Sequence, residues 1–507
     1  MNTKRNLALI LILPAILISA CNQSSAPSST DKGTSSSSSN EDVLSSTTSN
    51  ESISSSSDSI NSSSSSAKSF PTYSEEEPDA KYFRKDVTVK MDGGLVSGEN
   101  QKVYDLPFIY SDSFFIESAK QYSEGLSMIS FAASLATADK TRGDAFYSET
   151  GFSDIASYGY DSEPTKESMG YFIAHKTIND FELITVSFRG FNYGMEWANN
   201  FFIGKIGNHA GFDARGLEAF ANLQTYIKKY CENKSLKVWI NGYSRGGALS
   251  NVLASYIMKT SSIPVSQDNL FVYTFEAPAS LGQDNAIAYE NVHNIRNNAD
   301  LITYIPPETY GLGRCGVDYP IYDSDIDDLI KLFDPDIEFP VFTPETIGGV
   351  ERKDDTAIRE YVIDAVFVSN SAADDKAART REQYVDNYEA HLGVMIAYIF
   401  ALSSASRSEM LGEITASPTA ALQILFDTTG QKMADLIEPY LIKDNVTYDK
   451  DTFLADCSIL VQGAINLFAS VLAMFASDSQ KADLTRLIDM HYPESTYVLL
   501  RNAHMKN

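Results

Sequence analysis

Apolar positions along this chain fall into two periods. From Ile116 to Ala136, the residues Ala119, Tyr122, Leu126, Ile129, Ala132 and Leu135 recur at steps of three and four, which predicts an amphipathic helix packed on a core. Met169 to His175 and Leu183 to Phe188 are short apolar and aromatic runs divided by Thr177-Ile178-Asn179-Asp180, and they predict a β-hairpin. Gly211 to Cys231 returns to the helical period. The strand Lys237 to Asn241, the helix Gly246 to Lys259 and the strands Asn269 to Phe275 and Val292 to Arg296 then follow. Strands alternating with helices predict an α/β fold with a largely parallel sheet covered on both faces.

Beyond residue 318 the pattern changes. Tyr319 to Arg359 is acidic and interrupted by Pro335, Pro340 and Pro344, whereas Asp364 to Leu402 and Pro418 to Phe475 are helical in period. This predicts a helical cap, residues 319–480, inserted into a core that spans 70–318 and resumes at 481–507. Cys457 to Phe475 is almost entirely apolar. Gln462, Asn466 and the flanking acids argue against a membrane span, which leaves a buried cap helix or a helix lining an acyl-chain pocket.

The N-terminus reads as an address. Lys4 and Arg5 precede an apolar run from Leu7 to Ile18, the layout of a secretory signal peptide over residues 1–20. The run closes on Ile18-Ser19-Ala20-Cys21, which resembles a bacterial lipobox and implies a diacylglycerol on Cys21. The expected location is then the extracytoplasmic face of the bacterial membrane. Residues 24–69 are dominated by serine and cannot bury enough apolar surface to offset the entropy of ordering, so 21–69 is expected to be a flexible tether.

Of 507 residues, 43% are hydrophobic, which excludes a mainly disordered chain. Lys plus Arg number 40 against 67 Asp plus Glu, a net charge of −27 that argues against nucleic acid as a partner. Setting Cys21 aside, Cys231, Cys315 and Cys457 remain, without CxxC or Cys/His spacing, so buried thiols are expected and no metal is implied.

The strongest chemical signal is Gly242-Tyr243-Ser244-Arg245-Gly246, placed between a buried strand and the small-residue start of a helix. A nucleophile elbow forces its serine into a strained turn, and small residues at the flanking positions let strand and helix pass closely. Gly242 to Leu249 resembles the elbow of the class 3 lipases, G-[HY]-S-x-G-G-A-L-A. Four further blocks resemble that family in order. Val186 to Gly190 is similar to its FRG strand end, and His209-Ala210-Gly211-Phe212 to its H-x-G-F helix entry. Tyr273 to Pro278 is similar to its YTFGxP, with Glu276 in place of glycine. Asn298 to Pro307 is similar to the block that carries the triad acid. Trp197 lies near the family's DW position, with Glu196 in place of Asp.

The resemblance implies an α/β-hydrolase fold with Ser244 as nucleophile, Asp300 as triad acid, and the N–H groups of Phe191 and Arg245 as the oxyanion hole. Phe191 stands where the family often has a hydroxyl residue. Arg245 stands where it usually has leucine, and is expected to set a cation near the mouth of the site.

The base is sought among six histidines. His175 and His209 precede the nucleophile, against the Ser, Asp, His order of the fold. His293 lies in a predicted strand, and His504, three residues from the end, is expected to fray. His391 lies within a helical stretch, whereas His491 is set in a loop by Pro493. His491 is therefore expected as the base, on a loop after the last strand, with His391 the alternative.

The resulting expectation is a lipid-anchored serine hydrolase of carboxylic esters, acting on acylglycerols or other lipid esters and needing no cofactor. An esterase of acylated polymers, and a binding lipoprotein without turnover, are the alternatives.

Overall fold

The computed structural model describes residues 81–96, 101–160, 165, 167–191, 194–337, 346–347, 350–351, 355–363, 380–403, 405–407, 409–410, 429–461 and 486–506. The expected signal peptide, Cys21, the serine-rich tether and most of the apolar stretch after Val461 lie outside them. Among the described residues no helix is long and apolar enough to cross a membrane.

Nine strands matter for the site. β1 (Arg84–Asp92) and β2 (Val103–Ser111) form an antiparallel hairpin. The central sheet comprises β3 (Ser153–Tyr158), β4 (Tyr171–Ile178), β5 (Phe181–Phe188), β6 (Leu236–Tyr243), β7 (Leu270–Phe275), β8 (Val292–Asn297) and β9 (Val317–Ile321). Its order is β9-β8-β7-β6-β5-β4-β3. The pairs from β9 to β5 are parallel, and β5-β4 and β4-β3 are antiparallel.

Both faces of the sheet are covered because its strands are apolar on both sides. Trp239 and Tyr243 of β6 face the core containing α1 (Glu124–Ala136), α2 (Lys140–Glu149) and the hairpin, whereas Val238 and Ile240 face α3 (Ala210–Tyr230) and α4 (Arg245–Lys259). That layering, with a serine at the joint between β6 and α4, is the α/β-hydrolase arrangement expected from the sequence. The hairpin expected at 169–188 is β4-β5, longer than its apolar runs.

Three expectations need correction. The helix expected from Ile116 begins only at Glu124, capped by Ser123, whose Oγ accepts the Leu126 N–H at 3.2 Å. Lys237 Nζ takes the carbonyls of Phe115 and Ile116 at 2.6 and 3.1 Å, so those groups are committed to a cation. The boundary expected at 318/319 falls inside β9, and the next helix, α5 (Ile326–Phe333), joins the same core as the sheet through Ile326, Leu329 and Ile330. His504 does not fray: in α8 (Pro493–Lys506) it is buried and hydrogen-bonded to the Tyr122 hydroxyl at 3.0 Å. Burial there pushes its ring down to about 4. The three cysteines are buried free thiols.

The inserted helices α6 (Ala390–Ala401) and α7 (Gln431–Lys443) share a core of their own with 450–461, through Met395, Ile437, Leu441 and Phe453. They meet the central α/β core through Ile396 and Phe400, packed on Ala198, Phe201 and Phe202. Arg381 bolts the next loop. Its guanidinium donates to the carbonyls of Gly204, Gly207 (2.8 Å), Ile203 (2.8 Å), Ile206 (3.2 Å) and Asn208 (2.9 Å), and Glu389 accepts the Gly204 N–H at 2.8 Å. A planar fork of five N–H donors suits one side chain to this many carbonyls. Replacing Arg381 by alanine is expected to release the loop: amide exchange across 203–209, read by mass spectrometry, should speed up about 30-fold, corresponding to ~2 kcal/mol of lost local stability.

Candidate functional site

The elbow is set by backbone contacts that leave no room for a side chain. A Cβ on Gly242 would lie 2.2 Å from the Gly246 carbonyl oxygen, and one on Gly246 would lie 2.6 Å from that of Phe188. One on Gly190 would lie 2.1 Å from the carbonyl oxygen of Tyr243. Between them Ser244 adopts φ 51° and ψ −121°, a conformation rare for a residue with a side chain, and its N–H is held by the Phe275 carbonyl at 2.7 Å. The strained residue is the one whose hydroxyl must stand clear of both strand and helix.

The three residues expected to act together are in contact. Ser244 Oγ lies 2.8 Å from His491 Nε2, and His491 Nδ1 lies 2.6 Å from Asp300 Oδ2. Asp300 is fully buried, and its Oδ1 accepts the Ile302 N–H at 2.7 Å. The carboxylate thus takes the first N–H of a short 3-10 turn (Ile302–Tyr304) with one oxygen and orients the imidazole with the other.

His491 lies in a turn beyond the strands, as expected, and that turn joins two helices. It occupies the turn between a helical segment, 486–489, and α8, which Pro493 opens. The turn is pinned at several points: the His491 N–H donates to Ile488 O at 2.9 Å, Asn297 Nδ2 donates to Met490 O at 3.2 Å, and the Tyr243 hydroxyl donates to His491 O.

The remaining histidines are otherwise engaged. His175 is held between Glu182 (2.9 Å) and Asp154 (3.1 Å), and His391 bonds Asp456 at 2.7 Å within the insertion. His209 and His293 are buried against the carbonyls of Asn200 and Ala119, and desolvation lowers their rings to about 3 and about 4. Among the described residues His175, Glu182 and Cys231 are one grouping of metal-ligand type. There Glu182 already accepts from Lys234, Thr177 and His175, and burial pushes the Cys231 thiol up to about 11.

Gly190 brings the following residue, Phe191, against the elbow, where its ring stacks on Tyr243 with centroids 4.6 Å apart. Arg245 is the first residue of α4, whose N-terminal amides carry partial positive charge. Its side chain corrects the expectation of a cation near the mouth. It is 1% exposed and donates to Glu196 Oε2 at 2.9 Å, while Arg189 donates to the other oxygen of the same fully buried carboxylate. The chain pairs the unusual Arg245 with the unusual Glu196, inside the fold.

Two groups beside Ser244, His491 and Asp300 went unassigned in the sequence. Glu276, marked only as a departure from the resembled block, is fully buried next to Asp300. Glu494 is buried on α8 and accepts the N–H groups of Gly94 (2.7 Å) and Leu95 (3.0 Å), which clamps the N-terminal hairpin to the His491 turn. No local pattern in the sequence pairs residues 400 positions apart.

Residues 185–310 match the family model described as Lipase (class 3). The chain is 27% identical over 169 residues to secreted mono- and diacylglycerol lipase 1 of Fusarium solani, an alignment covering 31% of this chain and 48% of that protein. It thus spans about half the length of this curated relative. Among solved structures, a fungal lipase-inhibitor complex is 23% identical over 40% of this chain and 78% of its own, with a TM-score of 0.31. The Rhizomucor miehei lipase propeptide complex is 22% identical over 40% and 67%, with a TM-score of 0.29.

Burial pushes the Glu494 carboxyl up to about 7, against the opposing pull of its backbone donors. An unfolded glutamate loses its proton near 4.5, so between about 4.5 and 7 the folded state keeps a proton that the unfolded state has lost. The stability this group contributes is therefore full below about 4.5 and is lost as pH rises towards 7, on the order of 3 kcal/mol. Glu494→Gln is expected to flatten that slope, measured as the difference in urea midpoint between pH 5 and pH 8. An unchanged difference would contradict the assignment.

Proposed function

We propose, on the match of residues 185–310 to the class 3 lipase family, that this chain is a serine hydrolase of carboxylic esters. The observation that carries the reading is the hydrogen-bonded line from Ser244 Oγ through His491 to Asp300, starting at a strained elbow. His491 Nε2 removes the Ser244 proton as Oγ attacks the ester carbonyl carbon. Asp300 accepts the Nδ1–H bond, selects the tautomer that leaves Nε2 free to act as base, and stabilises the imidazolium that forms. The carbonyl oxygen gathers negative charge and is received by the N–H groups of Phe191 and Arg245, each worth ~3 kcal/mol in the transition state. The imidazolium then returns its proton to the leaving alcohol, and water, deprotonated by the same ring, releases the acyl group.

Lipid esters, acylglycerols among them, are the proposed substrates. The relative from Fusarium solani is named a mono- and diacylglycerol lipase, and an anchor on Cys21 would hold this enzyme beside a lipid surface. In that proposal residues 1–20 are removed, 21–69 tether the enzyme to the extracytoplasmic membrane face, and the inserted helices cap the site. An esterase of acylated polymers is the other substrate class compatible with the same chemistry. A binding lipoprotein drew on the departures at Arg245 and Phe191 and on the choice among the histidines; of these, the Arg245 cation is buried against Glu196.

Labelling by a fluorophosphonate probe tests the reading. Wild type is expected to label at Ser244, and Ser244→Ala and His491→Ala to label at least ~10³-fold more slowly or not at all, whereas His391→Ala labels at the wild-type rate. Folded wild type that does not label would overturn the hydrolase reading, and loss of labelling in His391→Ala alone would move the base to His391.

A further inference from the structure

Glu276 follows β7, at the sheet edge where β6 carries the nucleophile. Two features there are unfavourable for a glutamate. Its φ is +48°, a backbone region that favours glycine, and its side chain is fully buried. A conformation and a burial of this kind persist when the surrounding structure gives the group a task.

The partners of the carboxyl identify that task. Its two oxygens receive the Asn297 N–H at 3.1 and 2.9 Å, and Oε1 also receives the Thr496 hydroxyl at 3.1 Å. Asn297 in turn accepts the Asp300 N–H at 3.0 Å, which sets two fully buried carboxyls beside one another. Two buried carboxyls in contact do not both ionise, so one proton lies between them. Asp300 takes the Nδ1–H of His491, the group that becomes cationic in catalysis, so the negative charge belongs on Asp300. Burial and then the Asp300 charge push the Glu276 carboxyl well above the ordinary carboxylate range. Tyr243 and Glu494 are the other titratable groups of the cluster, and Tyr243 is itself pushed up by burial and by its acidic neighbours.

We propose that Glu276 is a positioning residue, whose protonated carboxyl donates a hydrogen bond to Asp300 and so fixes the carboxylate that holds His491. This rests on the reading of Ser244, His491 and Asp300 as the triad. Asp300 then has a defined donor on three sides: Ile302 N–H, His491 Nδ1–H and Glu276 O–H. Charge drawn towards Glu276 is unavailable to the imidazole, so removing this donor makes His491 more basic.

The test uses the full chain as wild type, Glu276→Gln, Glu276→Ala and Glu276→Met. The glutamine keeps an N–H donor for Asp300 and an acceptor for Asn297 and Thr496, whereas methionine fills similar space without a donor and serves if the alanine variant does not fold. Ester hydrolysis is followed against pH, and the His491 ring is titrated by ¹⁵N NMR in a Ser244→Ala background, where turnover is not required. The donorless variants are expected to lower kcat about tenfold with KM within about twofold. The acid limb of kcat/KM and the His491 titration should move up by about half a pH unit, and Glu276→Gln should restore both.

A purely structural role would change stability and leave the acid limb and the titration at their wild-type positions in every variant, which overturns the proposal. Wild type that hydrolyses no ester, with a His491 titration that still moves, would sink the hydrolase reading while keeping the Glu276–Asp300 coupling.

Discussion

Three backbone segments meet at the carboxyl end of β6 more closely than any side chain would permit. Gly190 lies against Tyr243, Gly242 against Gly246, and Gly246 against Phe188. Between these contacts Ser244 stands at φ 51°, at the sheet edge where α4 starts. Tyr243, one residue earlier, must then point to the other face. There its hydroxyl reaches Thr496 and the His491 carbonyl, so the residue preceding Ser244 docks the turn that carries His491. Ser244 and His491 share one rigid reference, and their 2.8 Å separation follows from the same close approach.

The second theme is charge taken out of water. Arg189, Glu196 and Arg245 form one buried group beneath the elbow, and Glu276 with Asp300 form another beside it. Buried ions are weak contributors to net stability, because desolvation offsets much of their attraction, but they are strict about geometry. Removing one partner strands the other. The site therefore gains orientation from groups that add little to the stability of the fold as a whole, and the sheet, apolar on both faces, supplies that stability separately.

Much of the fold was legible because the period changes at the right places. The strands around the elbow begin and end within a few residues of their apolar runs, and the elbow itself is a local pattern with a steric reason. Ser244 and Asp300 lay in recognisable blocks, and His491 was reached by elimination among six histidines. What was not legible depends on side-chain direction or distant partners. Arg245 gave no sign that Glu196 would bury it, and nothing near Ile116 announced that Lys237 would take its carbonyl. The C-terminal histidine looked frayed because nothing local showed α8 packing under Tyr122. Glu276 was visible as an odd residue in a familiar block, yet its meaning required knowing which carboxylate it would touch.

The contact between Arg381 and loop 203–208 bears on how this protein can be recombined. Five carbonyls of a core loop take their hydrogen bonds from a side chain some 175 positions later in the chain, carried by the insertion. The insertion is therefore no detachable accessory that could be trimmed away or traded for another scaffold's lid. A chimaera that replaces the 381–389 segment must import a matching 203–208 loop, or take the guanidinium away from that loop, where Ile203 O would keep the Ala210 N–H. In this chain the two stretches form a single heritable unit, although the sequence writes them far apart.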